Sequence, residues 1–238
     1  MTVSAWTTPL TFDPGERWDY GINIDWVGKA VEAASGQRLD AYLRDHIFTP
    51  LGMTDTGFVV SANQRTRLAA MHARQADGKL APIPFALPEE PEFFMGGGGL
   101  YSTAGDYLQY VRMILNRGKG NGNRVLKPET VDLMSRNAMG DLKVTMLKTN
   151  MPALSADAEF FPGMPKSWGL SFMINNEQAP TGRTAGSLAW AGLANTFFWI
   201  DPQKGVAGVY LTQVLPFVDV KALPLFFEWE KSIYQSMA

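Results

Sequence analysis

At 238 residues, 46% of them hydrophobic, the chain is long enough to bury one large core or two small ones. Its 21 basic and 23 acidic residues nearly cancel and gather into no stripe, which argues against nucleic acid and polybasic membrane contacts. With no cysteine there are no disulfides or thiolate chemistry, and His46 and His72 alone are too few for an imidazole-built metal site; no metal or other cofactor is expected.

Residues 1–19 read as an extended loop, punctuated by Pro9, Pro14 and Gly15. Over 22–34 the apolar positions Ile24, Val27, Val31 and Ala34 recur at helical spacing, with Asp25 and Lys29 placed as an i,i+4 pair and Gly36 as the stop. A second helix is expected over 38–47, with Leu39, Tyr42, Leu43 and Ile47 on one stripe. Residues 50–95 look irregular apart from a short hairpin at Asp77-Gly78, and PIPFALPEEPEFF leads into four glycines at 96–99.

The next helix is expected over 104–117. Thr103 and Asp106 stand at its start, Tyr107, Leu108, Val111, Ile114 and Leu115 face inward, and Gly118 ends it. Pro128 suits the first turn of another helix, to about residue 137. After a loop at 139–166 the period changes: SWGLSFMI alternates Leu170, Phe172 and Ile174 as a strand, and TFFWI and VAGVYLTQ flank a DPQKG turn. A last helix, 221–236, should turn Phe226, Phe227 and Ile233 inward. Helices, then antiparallel strands, then a closing helix describe an α+β fold with helical and sheet regions segregated: 1–140 mainly helical, 141–238 the sheet region.

The chemistry centres on Tyr20. A tyrosine hydroxyl has a pKa of about 10, so such a group serves as a base at neutral pH only when a nearby cation favours the phenolate. Taken alone, Tyr20 reads as a core aromatic beside Trp18. Its surroundings reverse that reading: Pro14-Gly15-x-x-Trp18-x-Tyr20, a helix bearing Asp25 and Gly28, then Pro50-Leu51-Gly52-Met53-x-x-Thr56, and later Trp190-Ala191-Gly192.

This combination resembles the serine β-lactamase and penicillin-recognising superfamily, and within it the family VIII carboxylesterases. The resemblance implies a β-lactamase-like α+β fold and acyl transfer through a covalent acyl-serine. The nucleophile there comes from Ser-x-x-Lys, and a tyrosine shuttles its proton, a role that falls on Tyr20. No Ser-x-x-Lys occurs in the 238 residues. Ser102 and Ser187 have no lysine three places on, and Ser102 is better explained by the helix start.

The departures from the penicillin-directed pattern are informative. The asparagine two places after the tyrosine is replaced by Ile22, which cannot bind a β-lactam side-chain carbonyl and so favours an apolar acyl or alcohol group. Asn23 is one place late and would point about 100° away around a helix. Lys-Thr-Gly is replaced by Trp190-Ala191-Gly192 on the expected strand SLAWAGLANTFFWI. Trp190 would form an apolar wall, Gly192 would let substrate approach the backbone, and the Leu193 N–H would be an oxyanion donor. Gly96–Gly99 lacks the Gly-Lys-Ser/Thr ending of a phosphate loop and reads as structural.

The expected activity is therefore hydrolysis of a small ester. The serine and lysine would come from an N-terminal segment of the fold lying outside this chain, supplied as a fragment of the same enzyme; self-pairing into a homo-oligomer is the other way to complete the sheet. An acyltransferase using the same residues and a non-catalytic binding or assembly module are the alternatives, with a β-lactamase or peptidase disfavoured by Ile22 and Trp190. No apolar run approaches the roughly 18 residues of a membrane span. MTVSAWTTPL has no positive n-region and no apolar core, so it does not read as a signal peptide, and the cytoplasm is the default location.

Overall fold

A computed structural model describes residues 9–89 and 91–237; the part of the expected N-terminal loop before residue 9 lies outside the described residues. Helix α1 (Asn23–Ser35) ends on Gly36, whose left-handed φ of 68° lets its N–H cap the Glu32 carbonyl. The helix is the one anticipated, but its charges pair differently. Asp25 is buried and accepts the Gly97 N–H at 2.8 Å, while Lys29 pairs with Glu32 at 2.7 Å. The reason lies in the glycine run, which packs so closely on α1 that a Cβ on Gly96 would sit 2.2 Å from the Ile24 carbonyl oxygen. Val31 turns inward, but Val27 does not and is 53% exposed.

The second predicted helix is a composite: α2 (Leu39–Leu43), a π-helical turn (Arg44–Phe48) and the short α3 (Thr49–Leu51), stopped by Gly52 at φ 71°. Helix α4 (Ala62–Arg65) starts on a capping box made by Ser61 and Gln64. Strands β1 (His72–Arg74) and β2 (Leu80–Pro82) form the hairpin expected at Asp77-Gly78. Helix α5 (Ala104–Leu115) is capped by Thr103, which accepts the Asp106 N–H at 3.2 Å. The Asp106 carboxylate instead reaches across to the Asp55 N–H (2.7 Å) and the Thr56 hydroxyl (2.9 Å), tying the Pro50–Thr56 motif to α5. A two-residue ribbon, β3 (Lys119–Gly120) and β4 (Asn123–Arg124), leads to α6 (Pro128–Met134), with Pro128 in its first turn.

The sheet follows as β5 (Lys166–Trp168), β6 (Met173–Asn175), β7 (Leu188–Gly192), β8 (Thr196–Asp201) and β9 (Val206–Tyr210), in that order and antiparallel throughout. Two expected strands are each a hairpin. SWGLSFMI folds back at Ser171 (φ 73°), so Trp168 pairs with Met173 and Leu170 is left exposed in the bend. SLAWAGLANTFFWI folds back between Gly192 and Thr196, with Asn195 at φ 57°. Alternating apolar residues cannot by themselves reveal such a fold-back, because both arms keep the period of two. The DPQKG turn joins β8 to β9 as expected.

Strand β10 (Val214–Leu215) runs parallel to β1 in a separate three-stranded sheet, and α7 (Ala222–Ser236) closes the chain. One core joins Val111, Met113 and Ile114 of α5 to Ile174, Leu188, Phe198 and Ile200 on one face of the main sheet. A second joins Met173, Ala189, Phe197 and Trp199 on the other face to Phe226 and Tyr234 of α7, with Phe227 and Ile233 partly buried against it. Each such large apolar side chain contributes about 1.5–3 kcal/mol when fully buried, so the two layers of helix hold the sheet from both sides. The edges differ. The β5 edge is closed by the segment before it, through Ala138 N–H to Trp168 O (2.8 Å) and Val144 N–H to Lys166 O (3.2 Å). Among the described residues no strand pairs with the outer edge of β9.

Candidate active site

The segment before α1 and the end of β7 meet at one point, 170 residues apart in the chain. The Trp190 indole N–H donates to the Tyr20 hydroxyl oxygen at 3.2 Å, and the two rings lie 4.9 Å apart. Trp190 is also packed edge-on against Trp168, at 4.5 Å, and Trp168 in turn lies 5.4 Å from Trp18. Phe160 also lies edge-on to Trp190, at 6.1 Å. Tyr20 is 47% exposed and Trp190 half-buried, so the phenol stands at the mouth of an aromatic wall. The Asp25–Gly97 bond pins the first turn of α1, and with it the chain just beyond Tyr20.

Gly192 ends β7 for a local reason as well: a Cβ there would sit 2.4 Å from the Thr196 hydroxyl across the hairpin. Leu193 is exposed in the turn, and among the described residues its N–H forms no hydrogen bond. That leaves a backbone donor unpaired in the turn that follows the strand bearing Trp190. Ile22 occupies the N-cap of α1, half-buried, with its carbonyl accepting the Asp25 N–H at 3.0 Å. It is two residues past Tyr20 but takes no part in the aromatic stack.

The sequence reading missed Trp168 as a wall residue, because the strand pattern alone does not reveal which sheet tryptophan faces Tyr20. The available signal was its place in Ser-Trp-Gly, at the start of the expected SWGLSFMI strand. Lys166, Glu159, Trp18, Phe160 and Trp190 line a narrow crevice beside the stack. Burial pushes the Lys166 ammonium below its usual range, partly opposed by Glu159, and the nitrogen donates to the Phe161 (3.2 Å) and Met164 (2.7 Å) carbonyls. It is thus committed to the backbone and donates no hydrogen bond to Tyr20. A larger open depression, at Leu115–Gly122, includes none of these aromatic residues.

Other candidates for the chemistry fall away on geometry. Desolvation raises the Tyr107 and Tyr110 phenols, the latter to about 12, so both are held in the neutral form. Ser102 shares its hydroxyl with Thr56 at 2.8 Å. The Ser187 hydroxyl is buried with no hydrogen-bond partner among the described residues, and therefore no base. Among those residues no group of His, Asp and Glu is arranged to hold a metal ion.

Tyr20 and Trp190 are thus in hydrogen-bond contact, and the Gly192–Leu193 turn follows Trp190 at the end of the same strand. The family model described as beta-lactamase matches residues 5–225. The chain belongs to the beta-lactamase family. Its fold is the β-lactamase-like α+β fold: unliganded simvastatin synthase (LovD) from Aspergillus terreus, as its selenomethionyl derivative, superposes with a TM-score of 0.83 at 31% identity, covering 98% of this chain and 59% of that one. Among curated relatives, monacolin J acid methylbutanoyltransferase from Aspergillus terreus is 34% identical over 240 residues, or 95% of this chain and 56% of the relative. Lovastatin esterase from Penicillium rubens is 28% identical over 228 residues, 91% of this chain and 55% of the relative. The chain spans a little over half the length of these proteins, which by name include both an acyltransferase and an esterase.

Proposed function

We propose that this family member carries the proton-shuttle and carbonyl-binding half of a serine-dependent site that hydrolyses small apolar esters, as the family VIII likeness suggested. The observation that carries the reading is the Trp190–Tyr20 hydrogen bond, which joins the phenol to the strand that leads directly into the unpaired Leu193 N–H. In this scheme a serine Oγ, supplied with its lysine by a segment beyond these 238 residues, attacks the ester carbonyl. Tyr20 takes the serine proton and passes it to the departing alkoxide, while the Leu193 N–H holds the oxyanion. Water then adds to the acyl-serine by the reverse proton path and releases the acid. Trp190 forms an apolar wall where penicillin-directed relatives bind a carboxylate, with Trp168 and Phe160 extending it and Ile22 turning away polar side chains.

A second reading, transfer of the acyl group to an alcohol, is favoured by the likeness to the methylbutanoyltransferase. The same residues serve it, with an alcohol replacing water in the second half-reaction. Fluorophosphonate labelling read by denaturing intact mass tests the site, and ester turnover with and without added alcohols separates the two outcomes. A labelled serine on a second polypeptide, together with free acid as the product, is expected. A label on this chain would overturn the site assignment. Absence of any label in material that contains only this chain would favour a non-catalytic binding or assembly module.

A further inference from the structure

The turn after β7 is tied down more heavily than a short hairpin needs. Asn195 is fully buried and sits in the left-handed region, φ 57°. Its Nδ2 donates to the Val214 and Pro216 carbonyls, both at 2.8 Å, and its Oδ1 accepts the Asp219 N–H at 3.0 Å. The Thr212 hydroxyl donates to the Ala194 carbonyl at 2.7 Å and lies 3.1 Å from that of Asn195, and the Val214 N–H reaches Ala194 O at 3.3 Å. Asp219 is anchored in turn: its carboxylate holds the Arg74 guanidinium of β1 and accepts the Lys221 and Ala222 N–H groups at the start of α7.

We propose that Asn195 is a positioning residue that fixes the direction of the Leu193 N–H. The proposal rests on the reading of that N–H as the carbonyl-binding donor. Glycine or asparagine adopts the left-handed conformation most readily, but asparagine alone of the two adds the donors and acceptor that clamp the turn. The tie runs from the turn through Asn195 to Asp219 and on to Arg74, so an exposed loop is held by buried groups. An oxyanion donor is effective only when it is aimed before the charge develops, and the clamp supplies that aim.

The test is ¹⁵N relaxation on the whole chain, comparing wild type with Asn195→Gly, which keeps the backbone freedom and deletes all three side-chain bonds. The Leu193 and Ala194 amides should have order parameters of about 0.85 in the wild type and fall below about 0.6 in the variant, with β8 and α5 unchanged. Thr212→Val, which keeps Asn195 and removes the second clamp, should give a smaller drop, and Asn195→Asp, which keeps the Oδ1 acceptor and loses both Nδ2 donors, answers the question if Asn195→Gly does not fold. Unchanged order at Leu193 in the variants, or a wild-type value already below about 0.6, overturns the proposal. In material that turns over ester, Asn195→Gly should lower kcat roughly 10²-fold with KM held within about twofold. Lost order with unchanged kcat would uphold the tie and remove Leu193 from the reaction, so the two failures are separable.

Discussion

The two halves of the candidate site are built in opposite ways. The Leu193 turn hangs from the sheet region, where several buried polar groups have specific partners: Arg183 with Glu230, which also takes the Thr181 hydroxyl; Asp201 with Thr184 and Tyr234; Asn195 with three backbone groups; the Asn175 amide and the Ser187 hydroxyl find none among the described residues. Tyr20 belongs to the helical region, which is joined by close glycine contacts and leaves Trp26 and Val27 more than half exposed on α1. Its hydroxyl receives one hydrogen bond, from Trp190, and none from a cation among the described residues. The difference teaches that the Leu193 turn is held by buried hydrogen bonds, whereas Tyr20 is held by packing and one hydrogen bond and stays 47% exposed.

The contrast can be broken at its most sensitive point by Tyr20→Phe. If Tyr20 is the proposed proton shuttle, turnover should fall by about 10²–10⁴-fold, while urea stability changes by less than about 0.5 kcal/mol, because the exposed hydroxyl lies outside the core. A large stability loss with retained turnover would reverse the assignment. Next in size is Arg183→Met, which strands the Glu230 carboxylate beneath the sheet, with relative exposures of 2% and 0% for the pair. It should cost about 3–5 kcal/mol by urea unfolding, and a second change, Glu230→Leu, should recover much of it. A loss below about 1 kcal/mol would mean that the sheet region does not depend on its buried pair.

Gly96→Ala sharpens the comparison from the helical side. Its methyl would meet the Ile24 carbonyl, and a loss of about 1–3 kcal/mol is expected together with a change in Trp190 fluorescence, since α1 carries the chain that ends at Tyr20. An unaltered spectrum would separate the glycine run from the site. The smallest effect is that of pH. Burial alone would raise the Asp201 and Asp219 carboxyls, but Thr184, Lys204 and Tyr234 around the first, and Arg74, Ala222 and Lys221 around the second, hold both below the usual carboxylate range. A folded-state pKa depressed in this way gives stability that is complete above the unfolded value of about 3.9 and is lost as pH falls through the folded value. Urea midpoints should stay flat from about pH 7 to 5 and fall below about pH 4, and Arg74→Met should shrink that fall. A midpoint unchanged at pH 3 would contradict the linkage.

Much of this arrangement was legible in the chain. Helices α1, α5 and α7 announced themselves by 3.6-residue spacing, and Gly36, Thr103 and Pro128 marked ends that the structure keeps. The Tyr20 and Trp190 motifs were visible as well. What the period of two concealed was where a strand turns back, so SWGLSFMI and SLAWAGLANTFFWI each read as one strand and fold as two. Asp25 shows the other limit. Its helical spacing offered Lys29, but the backbone of the glycine run was a nearer, buried donor.

The sequence by itself determined the family, the order of helices and strands, and the residue types available for chemistry, because spacing and local propensity are properties of short segments. The tertiary structure alone decided that the Trp190 indole meets the Tyr20 hydroxyl, that Trp168 completes the wall, and that Asn195 clamps the Leu193 turn to the loop before α7. Those are contacts between residues far apart in the chain. Their geometry follows from how the sheet, its two helical layers and their buried polar groups pack together, which no local pattern encodes.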